Sequence, residues 1–418
     1  MNQSGTSPVF VGRHLQASLD AAMADTPVVC LLGPRQCGKS TLARHQDPTR
    51  QYFSLDEARY LALARQDPEG FVADLPGFVT IDEIQRAPGL VLAIKRSMDA
   101  DRRPGRFLLT GSANLLQLPQ LADSLAGRME CLYLHPFSEA EKEASPGRFL
   151  ETWLAGGLSV ELVGSSAPRP SELPDRIVSG GYPEANRRSP ARARQWLRQY
   201  LASIIERDIH DVSRIKDGKD LGRLLELLAH RTACQLNVSE LSNVSGSTRR
   251  TIEHHLSILE KLFLVRQLPA WHRNATKRLA KSPKVHLCDS GLGAMLSRLT
   301  AGEWIGERGR FGHLLESFVL QQLVAGAGWT NPDLRFWHYR DKDQVEVDCI
   351  LSRGSKIWAA EIKAARTVGN ADTKGLQRLA ALEGENFQSG IVFYDGDSVL
   401  PLCDGAFLAV PISKLWTL

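Results

Sequence analysis

The chain has 418 residues, of which 43% are hydrophobic and 23% charged, and carries a formal net charge of +4. That length suggests two to four domains of an ordinary globular protein, and no apolar run approaches the length that crosses a bilayer. The small net charge leaves any nucleic-acid affinity to local patches. The N-terminal stretch MNQSGTSPVFVGRHL does not read as a signal peptide. The seven cysteines (30, 37, 131, 234, 288, 349 and 403) form no C-x-x-C pair. They read as reduced and mostly buried, which argues for the cytoplasm, with no membrane partner and no zinc site.

Residues 10–24 carry helical spacing and lead into a first strand. The stretch Val28 to Leu42, VVCLLGPRQCGKSTL, then runs from a buried-strand pattern into a helix start. Its centre, Gly33-Pro34-Arg35-Gln36-Cys37-Gly38-Lys39-Ser40, is G-x-x-x-x-G-K-S, followed by Thr41. The glycines let the backbone wrap phosphate oxygens with its N–H groups turned inward, and the helix adds the positive end of its dipole. Lys39 is placed to reach the β- and γ-phosphates of ATP, and Ser40 to hold Mg²⁺. A glycine-rich turn that binds nothing is the competing reading, but the strand-to-helix context is the one this motif requires.

A short strand at 51–55 and a helical stretch from Asp56 to Gln66 follow. Gly77 to Glu83, GFVTIDE, is an apolar strand ending in two acids. Asp82 is assigned to the Mg²⁺ shell and Glu83 to the catalytic base that polarises water. The extra strand at 51–55 suggests a strand interposed between the phosphate-loop strand and the Asp-Glu strand. A fourth strand, 106–110, ends in Gly111-Ser112-Ala113-Asn114, where Thr110 and Ser112 are candidates to sense the γ-phosphate. A fifth strand, 130–134, completes a five-stranded parallel sheet with crossover helices.

This order resembles the AAA+ core. Residues 28–140, through GPRQCGKSTL, VTIDEIQRAPGL, LLTGSANLL and LAGRMECLYLHPFSEAE, resemble the bacterial AAA_14 ATPases. Those proteins usually carry a C-terminal domain of unknown function, DUF4143, and the resemblance extends over nearly the whole chain. Arg128 is a candidate to reach a neighbouring subunit's γ-phosphate, coupling assembly to hydrolysis; a surface arginine paired to an acid is the alternative. Arg207, on a helical stretch at 191–209, is a second candidate. A homo-oligomer is expected, with a hexamer the usual form for this class. Residues 150–215 read as a helical lid.

Leu221–His230 has helical spacing, Asn237–Ser242 reads as a capped helix, and Ser247-Thr248 caps a helix over 249–262. Ile252, Leu256, Leu259 and Leu262 mark its core face. With a strand at 264–268 these elements suggest a winged helix. Residues 245–285 hold nine Lys or Arg against two acids, an excess of +7. Arg249 and Arg250 begin the recognition helix, and Arg273, Lys277 and Arg278 follow. His254, His255, Trp271 and His272 add stacking options. Duplex or branched DNA, held by shape and backbone, is the expected partner; a winged helix used only for packing is the alternative.

In the last 130 residues a helix at 311–326 carries Glu316, and strands are expected at 334–339, 344–351 and 356–363. The turn Ser352-Arg353-Gly354-Ser355 joins the latter two as a hairpin. Period-2 geometry puts Glu361 and Lys363 on one face with Asp348 beside them. Two carboxylates and a lysine at this spacing resemble the PD-(D/E)xK nuclease core. The resemblance implies that Asp348 and Glu361, with Glu316, hold Mg²⁺ and that Lys363 steadies the attacking water. Val347 stands where that pattern has proline. Arg340, Lys342 and Lys374 suit a scaffold that grips without cutting.

The sequence therefore predicts an α/β chain in four parts: an ATPase core at 1–145, a helical lid at 146–215, a winged helix at 216–285 and a nuclease-like domain at 286–418. The function expected is an ATP-hydrolysing protein that remodels DNA in repair or recombination. The rivals are an ATP-regulated Mg²⁺ nuclease and a nucleotide-dependent switch that binds a protein.

Overall fold

The structure, a computed structural model, describes residues 10–112, 129–160, 172–212, 218–274, 278 and 281–418, with side chains given to residue 206 in the third stretch. The first sheet contains β1 (Val28–Leu32), β2 (Gln51–Ser54), β3 (Val79–Asp82), β4 (Phe107–Gly111) and β5 (Met129–Tyr133), all parallel, in the order β2-β3-β4-β1-β5. The fully buried run of β1 splits by period two. Val28, Cys30 and Leu32 pack towards the helix Leu90–Ala100, whereas Val29 and Leu31 pack on Leu19, Ala22 and Leu42. The parallel sheet is as expected, but its order differs in one respect. The strand between the phosphate-loop strand and the Asp-Glu strand is β4, and β2 is displaced to the edge. Strand order is set by which faces the crossovers cover, which adjacency in sequence does not reveal.

A second, three-stranded antiparallel sheet has the order β6-β8-β7, from β6 (Cys234–Gln235), β7 (Val265–Leu268) and β8 (Lys284–Leu287). Three helices accompany it, Lys219–His230, Val238–Ser245 and Arg249–Lys261. Asn237 caps the second through the Glu240 amide and Thr248 the third through the Thr251 amide, as the sequence signals suggest. Ile252, Leu256, Leu259 and Leu262 are all buried.

The C-terminal sheet is mixed and six-stranded, with the order β13-β14-β12-β11-β10-β9. Its strands are β9 (Arg335–Arg340), β10 (Glu346–Arg353), β11 (Lys356–Lys363), β12 (Phe387–Tyr394), β13 (Leu400–Leu402) and β14 (Phe407–Pro411). The hairpin β10–β11 closes at Arg353 opposite Lys356. The 23-residue helix Arg308–Thr330 packs on the face of Trp358, Ala360 and Ile362. The helix Lys374–Glu383 packs on the face of Ile357 and Ala359.

The segment read as a lid divides between two cores. Phe149, Leu150, Trp153, Leu173 and Ile177 pack with Phe311, Phe318 and Phe393 of the C-terminal part. Leu197, Tyr200 and Ile204, on the helix Pro190–Val212, pack with Leu224, Leu228 and Leu256. No helix among the described residues is long and apolar enough to cross a membrane.

Candidate functional site

The phosphate-loop motif sits where β1 ends and the helix Lys39–Gln46 begins. Gly33 (φ +157°), Gln36 (+59°) and Gly38 (+104°) carry the turn. A Cβ on Gly33 would lie 2.0 Å from the Leu134 carbonyl oxygen, so glycine is required for the approach of β5. The Lys39 ammonium is buried within the loop, donating to the carbonyls of Gly33 (3.0 Å) and Pro34 (2.8 Å). The Ser40 hydroxyl donates to Asp82 at the end of β3, with O–O distances of 3.1 and 3.3 Å. Thr110, on β4, also donates to Asp82. Tyr52 of β2 has Arg44 over its ring at 3.6 Å, and burial raises its hydroxyl pKa.

Glu83 is buried and has φ +59°, a left-handed backbone uncommon outside glycine. Its amide donates to Thr110 Oγ1 (3.3 Å), and its carboxylate accepts from Ser112 (2.8 Å) and from Gln85. Gln85 also donates to the Ser112 hydroxyl at 2.9 Å. Thr110 and Ser112, expected to face the γ-phosphate, are thus the immediate partners of the two acids. Hard oxygen donors from Ser40 and Asp82 at the mouth of an N–H-lined loop suit Mg²⁺.

Two residues outside the motif hold this loop, and sequence reasoning did not assign them there. Arg13 donates to the Cys37 carbonyl (2.8 Å) and the His135 carbonyl (2.6 Å), and forms a buried ion pair with Glu141 at 2.9 Å. Tyr200 donates to the Arg35 carbonyl (3.1 Å) and meets the Tyr182 hydroxyl at 3.0 Å. Their partners in the loop, Cys37 and Arg35, lie 24 and 165 residues away, so no local spacing could signal them. Arg128 lies outside the described residues, and so does the side chain of Arg207 on the helix Pro190–Val212.

The basic segment is less open than its composition suggests. Arg249 and Arg250 are exposed at the helix start, Arg249 donating to Ser239 (3.1 Å). Arg273 is exposed and 3.6 Å from Glu383. Lys277 lies outside the described residues. Arg278 stacks over Trp271 at 3.9 Å, and Trp271 is itself buried and bonded to Glu383, so it offers no stacking face. His255 is also buried. Arg266 is tied to Gln321 (3.0 Å), and Lys281 to the Arg340 carbonyl (3.0 Å).

The C-terminal acids do meet. Lys363 lies 3.1 Å from Glu361, and Asp348 accepts from the Ile362 amide at 2.9 Å. Asp348 falls where the β10–β9 register shifts, an irregularity that re-aims a side chain. The unforeseen member is Lys284 of β8, which donates to Glu316 at 2.7 Å and to Asp348 at 3.3 Å. Burial, then Asp348, pushes Glu316 up to about 8. Burial also raises Glu361, whereas for Asp348 it is outweighed by Lys284 and Lys363, and the carboxyl pKa falls. Among the described residues no group of three or more His, Cys, Asp or Glu is arranged to hold a metal ion.

Comparison with known proteins accords with the first sheet and its loop. Residues 25–142 match the family model AAA_14, an AAA domain, and residues 311–415 match DUF4143, a domain of unknown function. Residues 170–303 match a further domain of unknown function, DUF8612. An uncharacterized protein of Mycobacterium tuberculosis is 29% identical over 408 residues, 97% of this chain and 84% of its own. One of Haemophilus influenzae is 27% identical over 59% of this chain and 57% of its own. Among solved structures, the Walker-type ATPase of Pyrococcus abyssi is 15% identical, covering 69% of this chain and 96% of its own with a TM-score of 0.39. A RuvB variant of Thermotoga maritima is 19% identical, covering 64% and 92% with a TM-score of 0.29. One chain thus carries both an AAA domain of the AAA_14 family, on a P-loop ATPase fold, and a DUF4143 domain.

Proposed function

We propose that the protein hydrolyses ATP and uses the cycle, as a homo-oligomer, to remodel DNA, with branched or structured DNA in repair or recombination as its natural target. The observation that carries the ATPase reading is the contact of Ser40 with Asp82 at 3.1 Å, with Glu83 next in sequence and held by two neighbours. The loop amides and Lys39 cradle the phosphates of ATP, Lys39 exchanging its carbonyl partners for phosphate oxygens. Ser40 and Asp82 hold Mg²⁺, which when bound offsets the charge on the phosphates. Glu83 orients the attacking water and takes its proton once Ser112 and Gln85 release the carboxylate. Arg128 and Arg207 are the candidates for the arginine offered to a neighbouring subunit.

The DNA reading rests on the helices capped by Asn237 and Thr248 together with the antiparallel sheet, which we read as a winged helix presenting Arg249 and Arg250. A second reading, a nucleotide-dependent switch acting on a protein partner, is favoured by one observation. Several cations of the basic segment are turned inward, while Tyr200 ties the phosphate loop directly to the helical part. Phosphate release and binding of a fluorescent ATP analogue test the ATPase reading. Glu83→Gln should lower turnover by about 100-fold or more while nucleotide still binds. Turnover that survives Glu83→Gln contradicts it.

A further inference from the structure

We infer that Lys284 is the resident cation between Glu316 and Asp348, and that the C-terminal part uses these carboxylates to clamp strand β8 rather than to bind Mg²⁺ and cut DNA. The spacing of Asp348, Glu361 and Lys363 implies a metal-dependent nuclease centre. The described side chains do not fit one.

The first reason is occupancy. The Lys284 ammonium lies between Glu316 Oε1 (2.7 Å) and Asp348 Oδ1 (3.3 Å), with Glu346 Oε2 at 3.9 Å. A lysine ammonium has three N–H donors, and these three acids surround it. Mg²⁺ needs oxygens at about 2.0–2.1 Å in a near-octahedral shell. An ion placed between Glu316 and Asp348 would meet the ammonium head-on.

The second reason is that the other oxygens are engaged. Asp348 Oδ2 accepts from the Ile362 amide, and Glu361 Oε2 pairs with Lys363. Glu361 Oε1 is covered by Gly375, where an added Cβ would lie 2.4 Å away.

The third reason is where the lysine comes from. Lys284 is 4% exposed and belongs to the middle strand of the three-stranded sheet, not to the C-terminal sheet. Its partners lie 32 and 64 residues further along the chain. Withdrawing it would leave the buried Glu316 without its partner, which is unfavourable. The contact therefore ties β8 to the C-terminal part, alongside Leu268 of β7, which packs in the same core as Trp358 and Phe393.

The test uses full-length, nucleotide-free protein carrying Asp82→Asn, which silences the other candidate metal site. Mn²⁺ is titrated and followed by electron paramagnetic resonance, and melting temperature is recorded in parallel. The clamp predicts that adding Asp348→Asn leaves the Mn²⁺ titration unchanged. It predicts that Lys284→Met lowers the melting temperature by several degrees, and that adding Glu316→Gln recovers more than half of the loss. If Lys284→Met does not fold, recovery of folded protein in the Lys284→Met/Glu316→Gln pair carries the same conclusion. Stoichiometric Mn²⁺ binding lost with Asp348→Asn overturns the inference. So does Lys284→Met that melts like its parent, or a paired variant no more stable than Lys284→Met alone. These readouts are independent of ATP turnover, so their failure leaves the ATPase reading standing.

Discussion

Single residues show most clearly what the sequence makes visible. The loop from Gly33 to Ser40, the acids Asp82 and Glu83, and the trio Asp348, Glu361 and Lys363 are found where their spacing puts them, because each depends on local geometry or on one hairpin register. Arg13 and Lys284 escaped because each is defined by partners far along the chain. His338 is another such residue. It is fully buried beside the Ser282 carbonyl (3.2 Å). Burial, then the charge of Lys284, pushes its pKa down to about 4. Its ordinary value is about 6.5, so between these limits the unfolded chain binds a proton that the folded chain refuses. Stability from this group is full above about pH 6.5 and falls as pH drops towards 4, by about 1.4 kcal/mol per pH unit. Glu316 acts oppositely: its raised pKa gives stability at low pH that is lost as pH rises from about 4.5 towards 8. Across pH 4.5 to 6.5 the slope of denaturant midpoint against pH should be more negative in His338→Gln than in the wild type, where His338 offsets Glu316; an unchanged slope contradicts this assignment.

At the scale of elements, the junction of the helical part with the phosphate loop depends on close backbone approach. Gly180 has φ +63°, and a Cβ there would lie 2.5 Å from Asp289 Oδ1. Asp289 accepts from the amides of Gly181 (2.7 Å) and Leu292 (2.8 Å), capping the helix Ser290–Leu296. Tyr182 follows directly and passes the contact through Tyr200 to the Arg35 carbonyl. Tyr200→Phe removes the hydroxyl's contacts with the Arg35 carbonyl and the Tyr182 hydroxyl, each worth about 0.5–1.5 kcal/mol. It should weaken binding of a fluorescent ATP analogue by about 2- to 10-fold while leaving the fold intact; unaltered affinity would disconnect this helix from the loop. The pairing of Gly181 with Asp289, 108 residues along the chain, was not legible in sequence. Strands β10 and β11 were legible from their turn, whereas β8 and β12–β14 were not assigned. Leu400–Leu402 spans only three residues, and the pairing of β8 depends on strands distant in sequence.

Across the whole molecule, the parts that follow the first sheet share cores, whereas the first sheet keeps its own. The helices Phe149–Leu154 and Leu173–Ser179 belong with the C-terminal sheet, and Pro190–Val212 belongs with the elements that follow it. The phosphate loop is held by Tyr200 on one side and Arg13 on the other. Charge also reads differently at this scale. Of the basic run at 245–285, Arg266, Arg278, Lys281 and Lys284 serve packing and pairing, leaving Arg249, Arg250 and Arg273 among the exposed cations. We propose that ATP turnover at the Ser40–Asp82–Glu83 site is coupled to DNA bound at this surface. The most direct test is the steady-state ATPase rate at low salt with no DNA, single strands, duplex, fork and four-way junction, for wild type and for Arg249→Glu/Arg250→Glu. Fork or junction should stimulate the wild type, and the charge-reversed variant should lose that stimulation while keeping its basal rate. A wild-type rate indifferent to every DNA would contradict this coupling and point to a protein partner.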